Sequence, residues 1–435
     1  MLAPVLIAAT ACLAMILGIL FLPKLGRGRF SVDTYWVAAA VGAIALCVLG
    51  YADLPEVWSA LADFSLPINP IKILSLFLSM TILSVYLDEL GFFRYLASAA
   101  LRRAGASQKR LFLVLYLTVS VLTVFTSNDV IILSFTPFVC YFAKSARINP
   151  IPYLAAEFVA ANTWSMALVI GNPTNIYLAT ANGIGFGPYF RTMIIPTLGA
   201  GAAAFAFLLL AYRRSLSAPL SGSPEEVRIT DPLRLWIGIA HLAACTVTLA
   251  ASGWLGWEMW RISCVAVVSL FFADDVVRLV RRGSPSIVFP CLRRAPWQLI
   301  PFVISMFVTI IVLGQCGVTR AVASALGSSW VVARYGAASF LSANLINNIP
   351  MSVLFCSLAE HVASPETRMA AVYAAIAGSN LGALLSPIGA LAGIMWSSIL
   401  VRHGLKFGYL DFLRLGLRVG VPAFIVCLVL LNLAT

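Results

Sequence analysis

A chain of 435 residues that is 61% hydrophobic and 11% charged, with a mean hydropathy of +0.96, is too apolar for a soluble domain, where about 25% of residues carry charge. It reads as a polytopic helical membrane protein, because in lipid each segment must satisfy its own backbone polar groups. Long continuous apolar runs exclude a β-barrel. The net charge of +12 does not point to nucleic acid, since Arg and Lys sit between apolar segments, where membrane topology accounts for them.

Residues 1–22 are apolar, with no preceding basic group and with Lys24, Arg27 and Arg29 after them. That order suits a first transmembrane helix better than a signal peptide. A second helix covers about 34–51, and both can cross the ~30 Å hydrocarbon core. The basic link between them is cytoplasmic, and the next loop, with Asp53, Glu56 and Asp63 and no Lys or Arg, is outside. A helix at 70–89 returns to Arg94, Arg102, Arg103, Lys109 and Arg110. This basic stretch reads as an interfacial helix with Phe92, Phe93, Leu96 and Leu101 toward lipid.

The next apolar segment, 111–143, has a polar break at 127–129 and basic groups at both ends: Lys109 and Arg110 before, Lys144 and Arg147 after. A return arm of 130–143 is short for a span, so a re-entrant hairpin from the cytoplasm fits, with two full spans as the alternative. Residues 150–182 then cross outward with a break at 171–175, and 190–212 return to Arg213 and Arg214. After the linker, helices at 235–252, 259–277 and 297–316 precede a second broken segment at 335–361. Residues 367–400 and 411–433 complete ten spans and two hairpins, with both termini outside a cell inner (plasma) membrane. The chain divides into 1–212, with a first repeat from about 70, a linker at 213–233, and 234–435, with a second repeat from about 296.

An ungapped offset of 226 supports the repeat: nine of thirty positions between 70 and 99 are identical, among them Pro70/Pro296, Ser79/Ser305, Met80/Met306 and Gly91/Gly317. The charge reading runs the two copies in opposite directions, which makes the repeat inverted. The polar breaks repeat too. Asn162 follows Asn128 by 34 residues and Asn380 follows Asn347 by 33. The fold expected is all-α, an inverted-repeat transporter with broken helices whose unwound backbone lines a site at mid-membrane.

Asp129 is the sharpest residue. A carboxylate in the bilayer centre costs at least ~2.5–3.5 kcal/mol, so it marks a functional site by default, and here the expected role is proton coupling. Its other reading is a cap on the return arm. Ser127, Asn128, Asn162, Asn172, Thr174, Asn175, Asn347, Asn348, Asn380 and Ser386 supply neutral donors and acceptors at the breaks, suited to a polyhydroxy solute or a partly desolvated cation. Some of them could instead satisfy freed backbone groups. Pro173, Pro350 and Pro387 stop their helices. No Arg or Lys lies at either break, so a neutral or cationic substrate fits better than a dianion. Asp88–Glu89 reads as an interfacial ion-pair site, Glu157 and His241 as interface-facing groups or relays, and Cys140 and Cys356 as packing residues.

The run Leu87–Asp88–Glu89–Leu90–Gly91–Phe92–Phe93, the Ser127–Asn128–Asp129 break and Gly171–Asn172–Pro173–Thr174–Asn175 resemble the arsenite permeases of the ion transporter superfamily. So do Ala343–Asn344–Leu345–Ile346–Asn347–Asn348–Ile349–Pro350, Gly378–Ser379–Asn380–Leu381–Gly382 and Ser386–Pro387–Ile388–Gly389. The resemblance covers nearly the whole chain. Ser386 stands where that branch commonly has Thr, and Ala390 where it commonly has Ser. The resemblance implies export of trivalent arsenite and antimonite hydroxides in exchange for protons, in some members with a soluble ATPase subunit. It also implies no cofactor beyond the proton gradient, and a superfamily in which homodimers occur. Sodium–proton exchange is the main alternative, and related branches carry silicic acid or carboxylates. A passive channel would need neither inverted halves nor a buried titratable group. An enzyme reading has no HExxH to rest on, and no P-loop pattern makes the chain an ATP-driven pump.

Overall fold

The computed structural model describes residues 2–22, 24–26, 32–65, 69–104, 107–217, 229, 231–281, 285–362 and 364–435. Arg27, Arg29, Arg282 and most of the 213–233 linker lie outside the described residues, as does the Leu101 side chain.

Helices α1 (Leu2–Phe21) and α2 (Thr34–Val48) are joined through a two-residue antiparallel ladder, β1 (Lys24–Leu25) with β2 (Val32–Asp33). The acidic loop holds a short helix, α3 (Leu54–Ala62), begun by Asp53, whose carboxylate accepts the Glu56 N–H. Helix α4 (Pro70–Glu89) starts where Asn69 accepts the N–H groups of Ile71 and Lys72, with Pro70 at the position that needs no donor. It is buried on nearly every side, and so is a central helix.

Helix α5 (Phe92–Ala104) forms as expected but does not turn its aromatic face to lipid. Phe93 is fully buried and packs on Phe135, with Phe92 against it. The apolar stripe that reads as a lipid contact is covered by the neighbouring hairpin, and amphipathic periodicity alone does not say which apolar surface a stripe meets.

Helices α6 (Gln108–Phe125) and α7 (Asn128–Ser145) flank the first break, followed by α8 (Ile151–Trp164), two 3-10 turns at 165–167 and 169–171, α9 (Pro173–Ala181) and α10 (Phe186–Tyr212). After α11 (Pro232–Leu255), α12 (Met259–Val280) and α13 (Val288–Arg294), the series recurs: α14 (Leu299–Gln315), α15 (Val318–Leu326), α16 (Val331–Ile346), α17 (Asn348–Ala359), α18 (Pro365–Gly382), α19 (Leu391–Arg402), then α20 (Tyr409–Leu415), a π-helical segment at 416–420 and α21 (Val421–Ala434). Helices α14–α19 follow in the order of α4–α9, and α20, the π-helical segment and α21 stand where α10 stands in the first series.

The 12 residues of α17 reach ~18 Å, too short for the hydrocarbon core. The 18 residues of α7 reach ~27 Å, longer than the 130–143 reading, because the helix starts at Asn128 and takes Lys144 into its last turn. The break after α8 likewise begins at Ser165, earlier than 171.

Helices α1, α2, α4, α11, α12 and α14 pack together as one framework, and α6–α10 with α16–α21 as a second body. Within that body the return arms cross over: α7 packs on α19 and α17 on α9. Tyr141 meets His403 edge-on, and the Asn182 amide lies 3.6 Å from Cys356 Sγ. Helix α18 lies so close to α16 that a Cβ on Gly378 would meet Ser339 Oγ at 1.9 Å and the Gly336 carbonyl at 2.6 Å.

Ion pairs fasten the framework. Arg294 of α13 bonds Asp88 and Glu89 at 2.6 Å each, so the Asp88–Glu89 pair is an ion-pair site, closed by the second half rather than by α5. Asp274, fully buried, accepts from Tyr86 at 2.9 Å and lies 3.1 Å from Arg234 Nε. At the opposite end Lys72 pairs with Glu258, and this bond holds the Glu258 carboxyl below the usual range.

Candidate functional site

Helix α6 ends at Phe125, and the Leu122 carbonyl accepts both the N–H of the capping Thr126 at 3.0 Å and its hydroxyl at 2.8 Å. Ser127 is extended, and α7 starts at Asn128. The Asn128 side chain works both ways: its oxygen accepts the Asp129 N–H at 2.9 Å, and its nitrogen donates to Asn162 at 3.3 Å. The first tip is thereby docked on α8.

The Asp129 carboxylate takes no part in capping. Among the described residues no hydrogen bond reaches it, although the residue is only 8% exposed. Its helix, α7, touches α4 of the framework.

The second tip is held differently. Asn347 has φ 69° and ψ 155°, a region that a residue with a side chain enters at a cost of ~1–3 kcal/mol. Its own amide pins it there, donating to the Ile388 carbonyl at 2.8 Å while its oxygen accepts the Ile349 N–H at 3.3 Å. The Asn348 N–H donates to the Gly389 carbonyl at 3.1 Å. Ser386 donates to Asn344 at 2.6 Å, and Asn344 in turn bonds the carbonyls of Phe340 and Gly382.

Between the tips the two broken helices are laced together. Asn380 Oδ1 accepts from Ser165 and from Asn172, each at 2.9 Å. Its nitrogen donates to Asn175 Oδ1 at 2.7 Å and to the Ile376 carbonyl at 2.8 Å. Ser379 donates to Thr174 at 2.8 Å, while Thr174 donates to Asn172 at 3.1 Å. Asn175 donates to the Ser165 carbonyl at 2.8 Å. Every capacity of the Asn380 amide is used.

The expected site residues therefore fall into two sets. Asn172, Thr174, Asn175 and Asn380 are committed to one another, and Asn162 and Ser386 to neighbouring amides and carbonyls. At the tips, Ser127 Oγ and Asn348 Oδ1 are buried with no partner, as is Thr163 Oγ1 beside Asn162. Buried polar atoms left open at the ends of broken helices are what a polar solute would satisfy. No Lys or Arg bonds any of these groups among the described residues.

Glu157 lies away from the tips, fully buried, accepting from Thr136 at 2.8 Å. His241 turns to the Ile237 carbonyl on α11, in the framework. Cys140 and Cys356 stand apart, on α7 and α17, and no group of three His, Cys, Asp or Glu able to hold a metal occurs among the described residues. Ser165, Ser379 and Asn344 join the polar network without having been singled out as site residues. The signal available for them was adjacency: Ser379 precedes Asn380, and Asn344 lies one helical turn before Asn347.

Comparison with known proteins fits this geometry. A family model described as CitMHS, citrate transporter, matches residues 30–377. The chain belongs to this transporter family. It is also 27% identical over 414 residues to an arsenical pump membrane protein of Yersinia enterocolitica, covering 92% of this chain and 93% of that one. Identity to the arsenical pump membrane protein of Escherichia coli K12 is 27% over 416 residues, covering 91% and 92%, and to a putative one of Bacillus subtilis 25%. Among solved structures, the Alcanivorax borkumensis YdaH transporter shares the fold, with a TM-score of 0.58 at 14% identity over 99% of this chain and 98% of that one. The chain is a multi-pass, all-α membrane transporter.

Proposed function

We propose that this transporter exports trivalent arsenite and antimonite hydroxides from the cytoplasm in exchange for protons. The reading draws its substrate from the arsenical pump relatives and its chemistry from the tips. One observation carries it: a buried carboxylate, Asp129, adjoins the open Ser127 hydroxyl at the first tip, Asn348 leaves an amide oxygen open at the second, and no Lys or Arg bonds them among the described residues. A trihydroxide is uncharged at neutral pH and offers three donors and three acceptors, which Ser127, Asn128 and Asn348 can match. A citrate-like polyanion would meet Asp129 without a counter-charge, and burying unpaired charge is costly.

In the proposed cycle Asp129 takes a proton when the site faces outward and gives it up inside, and solute occupies the tips in the alternate state. The body bearing both hairpins moves against the framework, and the amide network keeps its broken helices together. Both termini lie outside in this arrangement, and the chain is read as two halves about the 213–233 linker. Sodium–proton exchange is the second reading, because Asp129 with amide oxygens also suits a partly desolvated Na⁺.

The test is arsenite flux in everted vesicles under an imposed proton gradient, comparing the native chain with Asp129→Asn. Gradient-driven accumulation that the variant abolishes supports the reading. Undiminished coupled transport in the variant removes Asp129 from the mechanism. A folded native chain without arsenite flux removes the substrate, and sodium exchange then stands first.

A further inference from the structure

A cavity of about 630 Å³ opens between the framework and the hairpin-bearing body. Its mouth is formed by exposed Glu56, Gln315, Glu360 and His361, on the face that carries the acidic loop. Gln315 is tied to α3, donating to Glu56 at 2.8 Å and accepting the Asp53 N–H at 3.2 Å. The cavity runs down α14 as far as Phe307 and along α17 as far as Val353, which places its floor ~10–12 Å below the mouth at 1.5 Å per helical residue. Tyr177 of α9 completes that floor. All three floor residues are buried.

A second space lies directly beneath, about 20 Å³ in volume, room for a single water. Its walls include Val303, Ile349 and Pro173. Each stands one helical turn below a floor residue: Val303 below Phe307, Ile349 below Val353, Pro173 below Tyr177. Three helices thus report the same order of layers from mouth to tip. Ile349 also adjoins the tip residue Asn348, and Pro173 adjoins Asn172 at the start of the broken helix α9. One apolar layer separates the open vestibule, with Glu56 and Glu360 at its mouth, from the Asn348 group with its open valence.

We infer that Tyr177, Phe307 and Val353 form the gate between the vestibule and the hairpin tips, closed in this conformation. The inference rests on the transport reading, and deepens it by naming the route. Phe307 stands on the framework while Tyr177 and Val353 stand on the other body, so relative movement of the two separates the layer. With Glu56 and Glu360 at its mouth and no Lys or Arg in its lining, the vestibule favours neutral or cationic solutes and disfavours anions.

The gate is testable without knowing the solute. Ser352 lines the small space beneath the floor. With Cys356→Ser to clear the vestibule of its own thiol, Ser352→Cys is exposed to a membrane-impermeant methanethiosulfonate from the Glu56 face, and labelling at 352 is read by peptide mass spectrometry. A cysteine at the mouth, Gln315→Cys, sets the rate for open access. Position 352 should label slowly with Tyr177 present or replaced by Phe. Tyr177→Ala or Phe307→Ala should each raise the rate about tenfold, equivalent to ~1.4 kcal/mol off the cost of opening. These two variants lie on different bodies and are scored only if they elute as folded protein. Labelling of the parent as fast as the mouth cysteine overturns the gate, and so does the absence of acceleration in the folded variants. Failure of arsenite flux with these labelling rates intact would overturn the substrate and leave the gate standing.

Discussion

Replacing Asn380 with Ala should loosen the joint between the two halves. The side chain is fully buried and makes four hydrogen bonds, to Ser165, Asn172, Asn175 and the Ile376 carbonyl. Truncation leaves Asn175 Oδ1 and Asn172 Nδ2 without their bonds to Asn380, and no other protein partner replaces them. Ser165 keeps its bond to the Asn162 carbonyl, and the Ile376 carbonyl keeps its helical partner. Two stranded buried groups at ~1–3 kcal/mol each give ~2–6 kcal/mol. Interhelical bonds in bilayers average about 0.6 kcal/mol, so the three that leave α18 give ~1.8 kcal/mol by that separate route. Both estimates set a floor near 2 kcal/mol. The assay is equilibrium unfolding in lipid bicelles, with Asn175→Ala and the double variant completing a cycle. The loss in the double variant should fall short of the sum of the two single losses by ~0.5–3 kcal/mol, the coupling between the two side chains. A loss below ~0.5 kcal/mol for Asn380→Ala, with no coupling to Asn175, would refute the reading of this network as the fastening between broken helices.

Four further outcomes are expected. Gly378→Ala drives a methyl into Ser339 and the Gly336 carbonyl, costing ~1–3 kcal/mol and lowering thermal stability in detergent, whereas Gly253→Ala, with open space around it, should not. Asp274→Ala leaves the buried Arg234 with the more distant Asp231, at 3.8 Å, as its carboxylate partner and costs up to about 3–5 kcal/mol, while the double change Arg234→Met with Asp274→Leu should recover much of that. The Glu258 carboxyl is held low by Lys72, so the pair stabilises fully above the ordinary glutamate range and its contribution is lost as pH falls through the lowered value. Glu258→Gln should therefore flatten the acid limb of the stability curve and leave its alkaline limb unchanged. Asp129→Asn should keep the native unfolding temperature while abolishing proton-driven accumulation in everted vesicles.

Helix α4 was legible to the residue: an Asn–Pro start and an unbroken apolar run leave no other reading of 70–89. The breaks were legible because Asn, Pro and Gly inside apolar segments have few reasons to be there other than backbone release. What escaped was partnership. Nothing in the run Ala273–Asp274–Asp275 says that the first carboxylate is buried against Arg234 and Tyr86 while the second is half-exposed and paired with Arg278. Phe93 read as a lipid contact because an apolar stripe looks the same whether lipid or another helix covers it. The amide network shows the same limit. Composition at the breaks announced polar groups near mid-membrane, but which would be spent on one another and which left open depends on distances across more than two hundred residues of chain, as between Asn172 and Asn380.

The division into two bodies has a chemical signature at their boundary. Among the described residues no hydrogen bond joins α4 to α7 or α9, or α14 to α17, although these helices touch. The contact there is made by groups such as Phe77, Val303, Ile349 and Pro173, which slide without leaving a polar group stranded. Inside the hairpin-bearing body the opposite holds. Asn128 is bonded to Asn162, Asn347 to the 386–389 turn, and Asn380 to three side chains of the other half. The crossed packing of α7 on α19 and α17 on α9 means that neither hairpin can shift without the broken helix of the opposite repeat. Strong directional bonds within one body and non-directional contact between bodies favour displacement as a unit over deformation, because the cost of breaking a buried hydrogen bond falls only on internal rearrangement. Asp129 stands in the first turn of α7, which touches α4 of the framework, whereas Asn380 is enclosed by its own body. In the proposed cycle the surroundings of Asp129 would change while those of Asn380 would not, and this is the distinction between a group that can couple to transport and one that holds the carrier together.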